Sequence, residues 1–475
     1  MTYAPRPGSI PTLEVPDVAA LRAVHLVGIG GAGMSGIARL LLARGVEVSG
    51  SDLKDTPGLA LLRGAGARVA VGHAAEQVDG ADALVVSSAI REENVEVREA
   101  HARGIPVYAR AQVLAALMRE REGIAIAGAH GKTTTTSMVA VIFERAGLDP
   151  TYVIGGDLNE SGSNARSGDG PHFIAEADES DGSFLLLRPA IAVVTNVEAD
   201  HLDFYADAAE VEAAFEAFCA GAGHVIACID DPGVRRVLEA AAVPAETYGE
   251  REGADARIAG VELHPGGGRC RLLAGEDRVD LEVPIPGGHS LLNAAAAVLV
   301  ARRVGIDPAA AAESLRSFTG VRRRFEPRGE VLGARLVDDY AHHPSEIAAT
   351  LAAARTEGPR RLIAVFQPHR YTRTRALWRE LGASLGGADL VVLTDVYGAG
   401  EMPEPGVSGK LVVDSLVESS PRARAVYLPS RSEIAPFLAS EVREGDLVLT
   451  MGAGDVTMVA EEVLALLAEE GRDGA

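Results

Sequence analysis

The sequence predicts an α/β fold in three domains, each built on a parallel or mostly parallel sheet. Short apolar runs such as AVHLV, GIAIA, AIAVV, RLIAVF and DLVLTM alternate with helical stretches almost throughout. That is the pattern of strands covered on both faces by crossover helices. Most runs end in glycines, acids or basic residues, as expected where the carboxyl ends of strands carry ligand-binding loops. A length of 475 residues suits roughly three domains.

Composition excludes several classes. The chain has 45 Lys and Arg against 67 Asp and Glu, a net charge of −22, which argues against a nucleic-acid partner. Only three of the basic residues are lysines, Lys54, Lys132 and Lys410, so any site that needs an ammonium has few candidates. Cys219, Cys228 and Cys270 form neither a CxxC pair nor a disulfide framework, which favours a reduced, cytoplasmic setting. No apolar run is long enough for a membrane span. The opening MTYAPRPGSIPTLEVPDV has no signal-peptide pattern and reads as a flexible lead-in.

The first domain is expected over residues 21–118. AVHLVGIGG is a strand ending in glycines, MSGIARLLLARG a helix closed by Gly45, and VEVSGSD, ARVAVGH and ADALVVSSAI are further strands of a Rossmann-like series. Gly28, Gly30 and Gly33 give GxGxxG with Gly31 between them, and Asp52 ends the next strand. Such a loop binds a pyrophosphate and such an acid a ribose. The chemistry does not name the nucleotide: NAD and UDP both satisfy it.

The second domain, residues 119–320, opens with strand, loop and helix in GIAIAGAHGKTTTTSMVAVIFERAG. Gly128, Ala129, His130, Gly131, Lys132, Thr133 and Thr134 form a shortened phosphate loop, GxxGKTT in place of GxxxxGK[ST]. Its backbone amides can cradle phosphate oxygens, Lys132 neutralise them and Thr133 hold Mg²⁺. Two later strands end in EADESD, with Glu176, Asp178, Glu179 and Asp181, and in TNVEADHLD, with Asn196, Glu198, Asp200, His201 and Asp203. Carboxylates there suit a phosphate-bound divalent ion. β-like turns then lead into the Ala-rich helix SLLNAAAAVLVARRVG.

The third domain, residues 321–475, has strands in RLIAVFQPH, DLVVLTDVY, RAVYLP and DLVLTMGAGD and a frayed tail, EEGRDGA. His369, Arg370, Arg373 and Arg375 follow one strand, a local basic cluster suited to carboxylate or phosphate. RRRFE (Arg322 to Glu326) and DDYAHHP (Asp338 to Pro344) stand at and just after the junction.

HLVGIGGAGMSGIA, GAHGKTTTT, EADESD, TNVEADHLD, GGHSLLNAAAA, RRRFE, VDDYAHHPSE, QPHRYTRTR, TDVYGAGE and GAGD, in this order over residues 22–455, together resemble the Mur ligase family. The resemblance implies a Rossmann-like UDP-binding domain, a central P-loop-type ATPase domain and a C-terminal Rossmann-like domain that brings in the amino acid. It implies ATP and Mg²⁺, with UDP-N-acetylmuramate and L-alanine as substrates, a cytoplasmic location, and a monomer or homodimer. It places Lys132 on the ATP phosphates, Thr133 and Glu176 on a first Mg²⁺ and His201 on a second. Asn293 and Arg324 become nucleotide contacts and Asp339 a C-terminal contact to ATP. Tyr340, His369, Arg370 and Arg373 surround the substrate carboxylate and incoming amino acid. The 28–33 loop, with Asp52, His73, Ser87 and Ser88, would hold UDP, and His343 or His201 could serve as general base.

Two departures from the family pattern stand out. Ser290 replaces an Asn in His289-Ser290-Leu291-Leu292-Asn293, and Ala129 stands where Thr is common. No lysine lies between Lys132 and Lys410, so the carbamylated lysine of several sister ligases has no counterpart there, which fits the alanine-adding branch. The competing readings are a sister ligase that attaches a peptide to the same sugar nucleotide, a nicotinamide-dependent oxidoreductase on the 28–33 loop, and a non-catalytic nucleotide binder. The oxidoreductase leaves Lys132 and both acidic strand ends unused, and a binder would not need the numerous acids and the His.

Overall fold

The computed structural model describes residues 15–87, 90–202 and 204–473. Ser88, Asp203 and most of the proposed lead-in lie outside the described residues. Three sheets carry the architecture. In the first, the strands Arg68–Val71, Glu47–Asp52, Ala23–Val27, Ala83–Val86 and Val107–Ala109 lie side by side in that order, all parallel. Ala23–Val27 stands where the strand order reverses, so the Gly28–Gly33 loop leaves at the switch point, where open α/β sheets take ligands.

The second sheet has ten strands. Glu122–Ala127 pairs in parallel with His172–Ala177 on one side and Ile191–Val194 on the other. These three neighbours deliver the phosphate loop and both acidic strand ends to one edge. Thr151–Val153 and Ala165–Arg166 complete one flank, and His224–Cys228, Ala245–Gly249, Ala256–His264, Gly267–Ala274 and Asp277–Val283 the other.

In the third sheet Glu326–Val331, Ala334–Asp339, Asp446–Met451, Arg361–Phe366, Leu390–Leu393 and Arg424–Tyr427 follow in order. Only the first pair is antiparallel. Leu362, Ala364 and Phe366 belong to one apolar cluster, Ile363 and Val365 to another. The strand is buried on both faces, which is why RLIAVF reads as a continuous apolar run.

The chain packs as two compact units. One runs to Ala259 and includes Arg271–Asp280 and Leu292–Phe318; the other comprises Gly260–Cys270, Leu281–Leu291 and Thr319 onward. Within the first unit a single apolar cluster extends from Leu26 and Ile37 through Val113 and Leu117 to Phe184 and Phe218. The helix Arg110–Arg119, which carries Val113 and Leu117, therefore joins the cores of the first two sheets. At the far end, the helix Val459–Asp473 takes in most of the tail expected to fray.

Candidate active site

The strand Glu122–Ala127 feeds Gly128 and the helix Lys132–Arg145 starts after Gly131. Both glycines are in the left-handed region, φ +137° and +82°. A Cβ on Gly128 would fall 2.1 Å from Thr195 Oγ1, and one on Gly131 would fall 2.7 Å from Asn293 Oδ1. Asn196 braces the loop from the neighbouring strand end. Its Oδ1 accepts from His130 N at 2.8 Å and its Nδ2 donates to His130 O at 3.0 Å, where Thr195 Oγ1 also donates at 2.6 Å.

Lys132 Nζ donates to Gly128 O at 2.5 Å and to Ala129 O at 3.2 Å, and meets both oxygens of Glu179 at 3.0 and 2.9 Å. Burial works against the ammonium, but Glu179, Asp178 and Glu176 outweigh it and hold the Lys132 pKa above its ordinary value. The group is a fixed cation. Burial would raise the Asp178 carboxyl, yet Lys132, Arg110 and His201 hold it down at about 2. His201, at φ +56°, points Nε2 to within 3.7 Å of Glu179 Oε1 and 3.6 Å of Asp200 Oδ2. Glu176, one residue before the end of its strand, has Oε1 accepting from Gly155 N at 2.6 Å. Lys132, Glu176 and His201 are thus gathered at one helix N-terminus, with Thr133 in its first turn. Glu179 is the addition: it was one acid among four in EADESD, and the structure makes it the lysine's partner.

In the first glycine loop Gly28 N and Ile29 N donate to Ser51 O at 2.8 and 3.0 Å. Asp52 Oδ2 accepts from Gly30 N at 2.9 Å, so part of the carboxylate expected at a ribose braces its own loop. Ser87 Oγ lies 3.4 Å from where a Gly28 Cβ would stand. His73 Nδ1 sits 2.9 Å from Ser51 Oγ and 3.2 Å from Glu96 Oε2. Glu96 is fully buried and also faces His25 at 3.7 Å. The sequence offered no sign of this acid, because it lies in the helix Val95–Arg103, away from any strand end.

The second unit holds the basic set. Arg323 Nε pairs with Asp338 Oδ2 at 3.1 Å and its Nη2 donates to Gly452 O at 2.6 Å. Arg324 Cζ lies 5.2 Å from the Tyr340 ring centroid, and its Nη1 3.5 Å from Glu346 Oε1. Asp339 Oδ2 accepts from Phe325 N at 2.7 Å and Oδ1 from Ala341 N at 2.8 Å. Each oxygen of this expected nucleotide contact therefore accepts one backbone amide. His343 caps the helix Pro344–Thr356, its Nδ1 2.8 Å from Ser345 Oγ. His369 stacks on Tyr397 at 5.8 Å. Burial, with His342, Arg373, Arg370 and Arg323, pushes its pKa down to about 3, so its imidazole is neutral. Arg370, at φ +66°, opens the helix Tyr371–Ser384, which carries Arg373. Ser290 is buried, its hydroxyl donating to Pro286 O at 3.1 Å, so it serves the start of its own helix.

Three family models match consecutive parts of the chain: "Mur ligase family, catalytic domain" over residues 23–122, "Mur ligase middle domain" over 126–301 and "Mur ligase, glutamate ligase domain" over 323–454. A UDP-N-acetylmuramate–L-alanine ligase of Rubrobacter xylanophilus is 51% identical over 458 residues, covering 94% of this chain and 100% of that protein. One of Saccharopolyspora erythraea is 50% identical over 468 residues, 96% of this chain and 95% of that protein. Among solved structures, a UDP-N-acetylmuramate–alanine ligase of Thermotoga maritima superposes with a TM-score of 0.81 at 28% identity, over 95% of this chain and 100% of that one. A murein peptide ligase of Psychrobacter arcticus shares the fold, with a TM-score of 0.72 at 23% identity over 94% and 98% of the two chains.

Proposed function

The chain belongs to the Mur ligase family, and from that premise we propose that it adds the first amino acid of the peptidoglycan stem. It is an ATP-dependent ligase that joins L-alanine to the lactyl carboxylate of UDP-N-acetylmuramate and releases ADP and phosphate. The observation that carries this reading is full-length similarity at about half identity to alanine-adding ligases, in a chain whose one half-buried lysine stands at a phosphate-loop helix.

A carboxylate acylates poorly until it carries a leaving group. The lactyl carboxylate attacks the γ-phosphorus of ATP, ADP departs, and an acyl phosphate forms. The alanine amine, deprotonated, attacks the acyl carbon; the tetrahedral intermediate collapses to amide and phosphate. The 128–134 amides and the Lys132 ammonium face the charge that spreads over the transferred phosphoryl group. Between turnovers Glu179 holds that ammonium in place. Neutral His369 beside Arg370, Arg373 and Tyr340 suits the carboxylate of the amino acid, while Arg324 would contact the nucleotide.

The donor set also fits a hard divalent cation. Glu176, Asp178 and Glu179 all act on Lys132, and with Arg110 on Asp178 these three carboxylates still outnumber the two fixed cations, while the Thr133 hydroxyl adds an oxygen. Thr133 and Glu176 would hold a first Mg²⁺ and His201 a second; when bound, the metal neutralises charge on the β- and γ-phosphates. Among the described residues no helix is long and apolar enough to cross a membrane. A cytoplasmic enzyme, monomeric or dimeric, is the setting these substrates imply.

Release of phosphate only when ATP, UDP-N-acetylmuramate and L-alanine are all present tests the reading. Equal or faster turnover with a tripeptide in place of L-alanine would favour the peptide-adding sister. Arg373→Ala is expected to raise the KM for L-alanine by about tenfold or more, the scale of one lost charge-assisted fork, with ATP affinity unchanged. Calorimetry showing lost ATP affinity beside an unchanged alanine KM would contradict that role.

A further inference from the structure

The third glycine of GxGxxG ordinarily lets a helix pack close to its strand. Gly33 meets something else. A Cβ there would fall 2.7 Å from Arg110 Nη1, 3.1 Å from Arg110 Cδ and 3.3 Å from Arg110 Cζ. An arginine side chain therefore lies across the first turn of the helix Ala32–Ala43, whose N-cap, Gly31, makes no side-chain bond to the open amides. Residues 28–35 themselves contain no cation.

Arg110 is built in rather than loosely attached. It is the first residue of the helix Arg110–Arg119, whose Val113, Leu114 and Leu117 are 0%, 4% and 0% exposed. Its side chain is 21% exposed, and its Nη2 lies 3.6 Å from Asp178 Oδ2. That spacing is an ion pair, not the short double bond of a closed fork, and a guanidinium has five donors. Donors remain for a second anion. Asp178 in turn belongs to the acid set around Lys132.

We propose that Arg110 supplies the guanidinium that binds the diphosphate of the sugar nucleotide over the first turn of Ala32–Ala43, and that its pairing with Asp178 ties this site to the Lys132 loop. The inference rests on the function proposed above. A diphosphate docked on backbone amides alone would meet hydrogen bonds but no full countercharge, and Arg110 provides one in the bidentate geometry phosphates favour. Asp178 competes for the same guanidinium. Binding of the sugar nucleotide therefore loosens Asp178 from Arg110 beside the ATP phosphates, which couples the two nucleotide sites.

Calorimetric titration of UDP, UDP-N-acetylmuramate and a non-hydrolysable ATP analogue into the whole protein tests this. Arg110→Met, which keeps the stem and drops the charge, is expected to weaken UDP and UDP-N-acetylmuramate alike by about tenfold or more, with a smaller shift for the ATP analogue, whose site it reaches only through Asp178. UDP bound as tightly as by wild type overturns the inference and leaves the ligase reading standing. A loss confined to UDP-N-acetylmuramate also overturns it, since the guanidinium would then meet the carboxylate. Wild type that binds neither uridine nucleotide sinks the ligase reading itself. If Arg110→Met does not fold by circular dichroism, Asp178→Asn decides. Freed of its competitor, Arg110 should bind UDP several-fold more tightly, an effect a purely structural arginine would not produce; unchanged or weaker UDP binding overturns the proposal.

Discussion

Lys132→Ala is expected to lower kcat by about a thousandfold or more, the scale of removing a fixed cation from a phosphoryl-transfer site. It should also cost stability. Glu179 is 2% exposed and holds Lys132 through both oxygens. Deleting one partner of a buried pair leaves the other uncompensated, at about 3–5 kcal/mol. The single variant therefore cannot separate a catalytic lysine from a structural one. Lys132→Met with Glu179→Gln can, because it removes both charges while keeping the volume. Its thermal midpoint should return most of the way to wild type, and phosphate release with all three substrates should stay at the level of the single variant. A double variant with recovered turnover would take Lys132 out of the chemistry.

The lysine was legible because it is scarce and because a strand and a helix flank it as a phosphate loop requires. Strand positions were legible for a similar reason: after Arg361, the run LIAVF is buried on both faces and carries no polar residue to blur it. The partner of the lysine was not legible. Within EADESD the strand ends at Ala177. Beyond it the alternation that assigns side chains to faces no longer holds, so Asp178 and Glu179 look equivalent in sequence. Arg110 was hidden differently. It acts on Gly33 from 77 positions away (110 minus 33), and its presence turns a packing glycine into one shaped by a guanidinium. His201 and Arg370 owe their aim to left-handed backbone, which neither residue type announces.

Asp339 also does structural work that the sequence did not announce. The resemblance makes it a contact to ATP, and its carboxylate holds Phe325 N and Ala341 N at 2.7 and 2.8 Å, with Thr350 Oγ1 at 3.3 Å. Phe325 and Arg323 have φ of +47° and +61°, a conformation non-glycine residues keep only when their surroundings enforce it. Asp339 is that enforcement on one side and Asp338, through Arg323, on the other. Arg324 lies between them, so its position over Tyr340 depends on both acids. Asp339→Ala leaves two amides without acceptors, at about 1–3 kcal/mol each. The expected result is a loss of about 2–6 kcal/mol in unfolding free energy and of about a hundredfold in turnover from a displaced loop.

The pH dependence has a definite sign. Burial raises the Asp339 pKa from 3.8 to about 6 against the pull of Arg324. A carboxyl raised on folding favours the folded state most below its unfolded pKa, and the advantage is lost as pH rises through the folded value. The midpoint difference between wild type and Asp339→Asn, whose carboxamide does not titrate, should therefore move against wild type between about pH 4 and about pH 7. Thermal unfolding of both proteins across that window reads the difference directly, since every other titrating group is common to the pair. A difference that moves in favour of wild type as pH rises would mean that the carboxylate is stabilised in its charged form. The amides of Phe325 and Ala341, with Arg324, would then outweigh burial, and the loop would be pinned by a charged carboxylate.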